Sequence, residues 1–233
     1  MKTIIMSSLL GWSALFFGCN ATQSSELDDS KQLTYLALGD SYTIGESVSE
    51  TDRYPNLLVQ ALRKEGVLVS SPTIIAQTGW TTNDLKQGIQ EAEINEKTYD
   101  LVTLLIGVNN EFQQLSEQEY RVEFTQLLNQ AIQFAGNKKE KVVVLSIPDY
   151  GCTPYGKSRQ IAISKRIDAF NAINKQITDS LEVNYVDITG ISRNGLTNTG
   201  LVAHDGLHPS GKMYQLWVDT LVEQVDLTLI GNK

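Results

Sequence analysis

The segment Thr34-Tyr35-Leu36-Ala37-Leu38-Gly39-Asp40-Ser41 is the clearest indication of the fold class of this chain. It is a short apolar run that ends at a glycine, which is typical of a strand buried inside a parallel sheet. A serine follows directly, where such a strand would reach the carboxyl edge of the sheet. Ligands bind at that edge in open α/β sheets, so Ser41 is a candidate functional residue.

Four more apolar runs repeat this pattern along the chain. They cover residues 73–79, 100–107, 141–148 and 182–189. Apolar residues recur at helical spacing in the segments between and after them, which are residues 55–64, 82–93, 116–136, 158–181 and 210–227. Strands that alternate with helices predict a three-layer α/β/α domain with a mostly parallel sheet of about five strands. We expect a single domain over residues 33–233.

Both histidines of the chain lie in the segment His204-Asp205-Gly206-Leu207-His208-Pro209. A serine hydroxyl is a poor nucleophile until a base accepts its proton, and imidazole can serve as that base. Asp205 stands three residues before His208, which suits a helical turn or a tight loop in which the carboxylate orients the imidazole. We therefore predict a catalytic triad of Ser41, His208 and Asp205, and a surface or packing role for His204.

Two further strand ends supply groups that suit acyl transfer. The second apolar run ends at Gly79, and the third is followed by Val108 and Asn109. Donors aimed at the negative charge on the former carbonyl oxygen usually make the largest catalytic contribution. The backbone N–H groups of Ser41 and Gly79 and the side-chain amide of Asn109 are candidates for this oxyanion hole.

Taken together, these blocks resemble the SGNH, or GDSL-type, hydrolase family. The blocks are Gly39-Asp40-Ser41, Gly79, Gly107-Val108-Asn109 and Asp205-Gly206-Leu207-His208, and they follow the family's order within residues 34–212. The resemblance implies a flavodoxin-like fold and ester hydrolysis by the triad and oxyanion hole named above. One position departs from the pattern, because Asn110 stands where the family usually has Asp.

Two other chemistries fit the sequence poorly. The α/β-hydrolase fold carries its nucleophile in Gly-x-Ser-x-Gly, whereas Ser41 lies in Gly39-Asp40-Ser41-Tyr42-Thr43 on the first strand. A zinc site would need a third ligand, and His204 and His208 lack the helical His-Glu-x-x-His pattern. We therefore expect no metal and no cofactor.

The amino terminus has the composition of an export signal. Lys2 precedes an apolar or small stretch, residues 4–17, which is shorter than a membrane span of about 20 residues. Gly18-Cys19 then looks like a bacterial lipoprotein cleavage box, with Phe16 where that box usually has Leu. We expect a signal peptide over residues 1–18, lipidation of Cys19 and a polar tether over residues 19–32. Secretion without a lipid anchor is the alternative.

The cysteine content and the net charge limit the thiol chemistry and the classes of partner that we expect. If Cys19 is lipidated, Cys152 is the only thiol left, and we expect it to be buried and inert. The formal net charge of −8 argues against nucleic acid as a partner. A lipid anchor would then be the only attachment to a membrane, and the sequence leaves the oligomeric state open.

These features favour an extracytoplasmic esterase acting on a short-chain ester, such as an acetyl ester of a carbohydrate. Short connections between the elements predict an open cleft, and Tyr42, Trp80 and Phe112 are close enough in sequence to site residues to form a flat wall. An acyltransferase, a lysophospholipase or a thioesterase would use the same residues, because an acyl-enzyme does not specify what resolves it. A surface lipoprotein that binds a ligand without turnover is the alternative outside catalysis.

Overall fold

A computed structural model of the chain describes Met1 and residues 32–225. Apart from Met1 and Gln32, the predicted signal peptide and tether, with Cys19, lie outside the described residues. None of the helices within the described residues combines the length and the apolar character that a membrane span requires.

Within residues 32–225, five strands form one sheet, and each lies inside one of the apolar runs. They are β1 (Tyr35–Gly39), β2 (Thr73–Ala76), β3 (Leu101–Leu105), β4 (Val142–Leu145) and β5 (Asn184–Val186). Their order is β2-β1-β3-β4-β5, and every neighbouring pair is parallel. This is the order of the flavodoxin-like doubly wound fold, so the predicted fold class is confirmed. The strands are shorter than the runs because the runs included flanking loop residues, most of them at the carboxyl edge.

Long helices occupy the predicted segments, and within residues 32–225 three single-turn α-helices occur that periodicity did not indicate. The helices are α1 (Ser41–Ile44), α2 (Tyr54–Lys64), α3 (Thr82–Glu91), α4 (Val108–Phe112), α5 (Glu117–Phe134), α6 (Gln160–Ser180), α7 (Thr189–Ser192) and α8 (Gly211–Gln224). Helix α2 packs against α8, whereas α3 packs against α5 and α5 against α6. These two groups flank the sheet and complete the three layers. The predicted end of the last helix, at Leu227, lies outside the described residues.

The core lies where the helices cover the central strands. Strands β1, β3 and β4 are buried along their whole length, whereas the edge strands β2 and β5 are partly exposed. A parallel strand with helices on both faces needs apolar side chains on both, which explains the continuous apolar runs. On one face, Tyr54 of α2 packs against Tyr214 and Trp217 of α8, with ring centroids 6.4 Å apart in both pairs.

A single residue, Asp40, joins β1 to α1 and caps that helix. Its Oδ1 accepts a hydrogen bond from the backbone N–H of Tyr42 at 3.0 Å. Gly39 precedes it because no side chain fits there: a Cβ would lie 2.1 Å from the Thr43 hydroxyl and 2.4 Å from the Leu105 carbonyl oxygen. The chain can therefore turn sharply as it leaves β1.

The carboxyl group of Asp40 is fully buried, and its Oδ2 has no hydrogen-bond partner within residues 32–225. Burial raises the pKa of Asp40 from 3.8 to about 7, although the backbone N–H groups of Tyr42, Asp40 and Gly107 oppose this rise. A buried carboxylate with an unpaired oxygen is costly, so the folded protein favours the protonated form.

We expect Asp40 to reduce the stability of the protein as the pH rises. Because its folded-state pKa lies above its unfolded value, its stabilising contribution is complete below about pH 4 and is lost as the pH rises through about 7. Asp40→Asn cannot ionise and should lack this pH dependence. Urea unfolding of both proteins between about pH 4.5 and about pH 8 measures the effect. As the pH rises, the free energy of unfolding of the wild type should fall relative to that of the variant. A difference that is constant over this range would contradict the raised pKa.

Candidate active site

Ser41 opens α1 at the carboxyl end of β1, beside the end of β3. The strand order reverses at this point, because β2 lies on one side of β1 and the remaining strands lie on the other. At such a switch point the loops diverge and leave a crevice at the carboxyl edge. Ser41 is 4% exposed, and Gly45 ends its helix in the left-handed conformation, with φ of +76°. The candidate nucleophile therefore lies where the fold leaves room for a ligand.

His208 and Asp205 are hydrogen-bonded to each other in the loop before α8. Nδ1 of His208 lies 2.6 Å from Oδ2 of Asp205. The loop is a tight turn and not a helix, since Oδ1 of Asp205 accepts the backbone N–H groups of Leu207 at 2.9 Å and His208 at 3.0 Å, and Gly206 has φ of +73°. His208 is buried, whereas His204 is exposed.

Asp205 is held in its ionised form. Burial raises the pKa of Asp205, but hydrogen bonds from Ser47, His208 and the backbone N–H groups of Leu207 and His208 together bring it well below its usual range. A carboxylate can only accept hydrogen bonds, so Nδ1 of His208 carries the proton of this pair. In the neutral ring, Nε2 is then unprotonated and can act as a base.

Gly79 and Asn109 line the same cleft as Ser41 and His208. Gly79 has φ of +88°, and no atom lies within 4 Å of the place that a Cβ would take. Glycine is therefore favoured at this position by the backbone conformation and not by a lack of space for a side chain. Nδ2 of Asn109 donates a hydrogen bond to the carbonyl oxygen of Trp80 at 2.9 Å. This bond fixes the carboxamide and leaves its second N–H for another acceptor.

The cleft has a volume of about 170 Å³. Four of the five candidate site residues line it, and Asp205 is linked to it through His208. The apolar and aromatic part of the wall is formed by Tyr42, Val108, Phe112, Tyr150 and Leu207. The structure thus brings together every residue that the sequence assigned to the triad and the oxyanion hole.

The three aromatic residues expected in the wall differ in their positions. Phe112 lines the cleft and is 47% exposed, so a ligand can reach its ring. Tyr42 also lines the cleft but is buried, and its ring meets that of His208 edge-on with centroids 5.8 Å apart. Trp80 packs on α3 instead, because Gly88 leaves space for its ring. A Cβ at position 88 would lie 2.1 Å from the nearest ring atom of Trp80.

Tyr150 lines the cleft although no sequence motif pointed to it. Its hydroxyl donates to Oε2 of Glu111 at 2.8 Å, and Nε of Arg166 donates to Oε1 of the same carboxylate at 3.1 Å. Glu111 is 4% exposed, so these two bonds compensate a charge that is costly to bury. Tyr150 follows β4 at the carboxyl edge of the sheet. Because ligands bind at the carboxyl ends of parallel strands, a search of the residues after every strand would have found it.

Asn110, which departs from the family pattern, joins α4 to the start of α3. Its Nδ2 donates to Oγ1 of Thr82 at 2.7 Å, and its Oδ1 accepts the backbone N–H of Thr82 at 3.0 Å. The same hydroxyl donates to Glu123. Because the Thr82 hydroxyl uses its proton in the bond to Glu123, it can only accept a hydrogen bond from residue 110. The amide of Asn110 can donate this bond, whereas an ionised Asp could not.

Comparisons with known proteins agree with this fold. The chain matches the model of the GDSL-like Lipase/Acylhydrolase family over residues 37–216. A comparison with curated protein sequences finds no match. Among solved structures, the psychrotrophic esterase EstA from Pseudoalteromonas sp. is 18% identical, with a TM-score of 0.63 over 85% of this chain and 99% of that chain.

Two further solved structures are similar to a comparable degree. The acetylxylan esterase Axe2 from Geobacillus stearothermophilus is 20% identical, with a TM-score of 0.64 over 83% of this chain and 94% of that chain. The lipase/acylhydrolase from Enterococcus faecalis is also 20% identical, with a TM-score of 0.64 over 83% of this chain and 95% of that chain. At these identities the structural similarity establishes the fold alone.

The family match carries the assignment. It covers more than half of the chain and runs from β1 into α8, so it contains the strand ends and the loop described above. The chain therefore belongs to the GDSL-like lipase/acylhydrolase family and is an enzyme of the esterase/acylhydrolase type.

Proposed function

We propose that the protein is an extracytoplasmic carboxylic-ester hydrolase whose catalytic triad is Ser41, His208 and Asp205. The observation that carries this proposal is the 2.6 Å hydrogen bond between Nδ1 of His208 and the ionised Asp205, at a cleft that Ser41 and His208 both line. This bond favours the tautomer in which Nε2 accepts a proton, as a serine nucleophile requires.

In the proposed reaction, Nε2 of His208 takes the hydroxyl proton of Ser41 while Oγ bonds to the carbonyl carbon of the ester. The backbone N–H groups of Ser41 and Gly79 and the second N–H of Asn109 stabilise the resulting oxyanion. The bond to the alcohol oxygen then breaks, the alcohol leaves with the proton from His208, and the acyl group stays on Ser41. Water attacks this acyl-enzyme with His208 again as the base, which releases the carboxylic acid and restores the serine.

Two similar structures support a serine nucleophile. The EstA structure is that of an enzyme inhibited by monoethylphosphonate, and a serine-to-alanine form of Axe2 is a catalytic mutant. A triad of the same type would react with phosphonate probes, because such probes trap an activated serine hydroxyl.

The proposed substrate is a short-chain ester of a carbohydrate. Phe112 and Tyr155 are 47% and 49% exposed, and their ring centroids are 6.4 Å apart. The centroid of Tyr150, inside the cleft, lies 5.9 Å from that of Phe112. Three aromatic rings thus extend from the cleft to the surface, where a sugar ring attached to the acyl group can stack on them. The similarity of the fold to an acetylxylan esterase is consistent with this choice.

The proposed location rests on residues 1–32, almost all of which lie outside the described residues. Lys2, the apolar stretch 4–17 and Gly18-Cys19 support export followed by lipidation of Cys19. The tether itself is polar, so attachment to a membrane would depend on the lipid.

Substitution of the triad tests the mechanism. Ser41→Ala, His208→Ala and the double variant should each lose turnover of p-nitrophenyl acetate by about 10⁴-fold or more. The losses should be similar because substitutions within one catalytic relay do not have additive effects. Asn109→Ala should lower kcat by about 10²-fold to 10³-fold with KM little changed, as expected for a donor to the oxyanion. His204→Ala, which removes an exposed histidine, is the matched control. An active Ser41→Ala protein, or a fluorophosphonate probe that fails to label Ser41, would exclude this triad.

Removal of the exposed rings tests the substrate class. Phe112→Ala and Tyr155→Ala should each lower kcat/KM for an acetylated xylo-oligosaccharide by about 2- to 10-fold, because one aromatic contact contributes about 0.5–1.5 kcal/mol. Turnover of ethyl acetate, which has no ring to stack, should change little. Ile161→Ala removes an 87% exposed apolar side chain from α6 and is the control. Equal losses on both esters, or a maximum at laurate in a series of p-nitrophenyl esters, would contradict a carbohydrate substrate.

Cys19→Ser tests the location. The native protein should partition into detergent, and the variant should be released or remain an uncleaved precursor, because the lipid is the only proposed anchor. Detergent-phase partitioning and amino-terminal sequencing measure both effects. If the wild-type protein is entirely soluble and begins at a residue other than Cys19, the lipoprotein hypothesis is wrong and secretion without a lipid anchor is favoured.

A further inference from the structure

The turn after α1 connects the nucleophile to two other loops of the site. The backbone N–H of Glu46 donates to the carbonyl oxygen of Ser41 at 3.0 Å. The next residue, Ser47, donates from Oγ to Oδ2 of Asp205 at 2.6 Å, across 158 residues of sequence. The carboxylate of Glu46 accepts a hydrogen bond from Oγ1 of Thr78 at 2.5 Å. One short turn is therefore bonded to the helix of the nucleophile, to the loop of Asp205 and to the residue before Gly79.

Ser47 bonds to the carboxylate oxygen that also pairs with His208. Oδ2 of Asp205 lies 2.6 Å from both Oγ of Ser47 and Nδ1 of His208, while Oδ1 accepts the two backbone N–H groups of its own turn. The carboxylate thus has four donors, which matches the number of lone-pair sites on its two oxygens. A rotation of this group would break several bonds at once, so its plane is fixed.

The backbone of Ser47 is adapted to this contact. Its φ is +67°, in the left-handed region that non-glycine residues seldom occupy. Such a conformation persists where the surrounding contacts outweigh its cost, which is common at functional sites. In this conformation Ser47 makes the bond to Asp205.

We propose that Ser47 is a positioning residue: its hydroxyl holds the Asp205 carboxylate in the orientation that keeps the His208 imidazole aligned with Ser41. The inference rests on the triad proposed above. Ser47 belongs to the same turn that bonds to the Ser41 carbonyl, so it also ties the position of Asp205 to that of the nucleophile. Its effect on the reaction passes entirely through Asp205.

A double-mutant cycle tests this role. Ser47→Ala should lower kcat for p-nitrophenyl acetate about tenfold with KM little changed, since one hydrogen bond to a charged group is lost. In an Asp205→Ala background, the same substitution should cause no further loss, because the group through which it acts is gone. An equal fold-loss in both backgrounds, a wild-type kcat, or a change confined to KM would overturn the proposal.

Two control variants separate the hydroxyl from the backbone. Ser49 lies two residues after Ser47 and is not among the residues that line the cleft. Ser49→Ala removes a hydroxyl that donates to Asp52 at 2.8 Å, and it should leave kcat unchanged. Ser47→Gly suits the left-handed φ and lacks the hydroxyl, so it should be as slow as Ser47→Ala. Wild-type activity in Ser47→Gly would show that backbone conformation matters and would refute the role of the hydroxyl. Thermal unfolding of each variant confirms that it is folded.

The outcomes also separate this inference from the proposed triad. If the triad is wrong, Asp205→Ala retains full turnover. If the triad is right and the inference is wrong, Asp205→Ala is impaired while Ser47→Ala behaves like the wild type.

Discussion

The parallel alignment of β1 with β3 is the constraint on which the rest of the site depends. Gly39 and Leu105, the last residues of the two strands, are partners in the register, so both strands end at the same level. Ser41 and Asn109 follow those ends and therefore meet at one edge of the sheet. The close fit of Gly39 against the Leu105 carbonyl oxygen and Thr43 allows the turn that places the serine there. The register of two buried strands thus fixes the positions of polar groups at the edge of the sheet.

One balance of forces shifts the pKa values of two carboxyl groups near the candidate nucleophile in opposite directions. Asp40 is completely buried, and burial outweighs the backbone N–H groups that it accepts, so its pKa rises to about 7. Asp205 retains some exposure and accepts hydrogen bonds from Ser47, His208 and its own turn, so its pKa falls. The ionised carboxylate is therefore the one that pairs with the imidazole. Burial makes Asp40 easier to protonate than an exposed carboxylate, and no ion pair with a basic side chain within residues 32–225 offsets this.

Much of the fold could be predicted from local patterns. Each strand is an apolar run of a few residues, and each long helix has its own apolar periodicity, so both signals are contained within one segment. Asp205 and His208 are three residues apart, and their pairing is set by a single turn. Ser41, Gly79 and Asn109 could be placed together because the carboxyl ends of parallel strands share one edge. The three single-turn helices were not predicted, because four or five residues are too few to show a period.

The layers, the candidate nucleophile and the candidate acid–base pair could be derived from the amino-acid sequence, because each depends on neighbours in the chain. Which loops contact one another is known only from the three-dimensional structure. The bond from Ser47 to Asp205 spans 158 residues, and the bond from Tyr150 to Glu111 spans 39, and no spacing rule links such pairs. Trp80 turns away from the cleft because Gly88 on another element leaves space for its ring. Side-chain direction in loops follows backbone dihedrals and packing against distant elements, and these forces act only once the sheet has assembled.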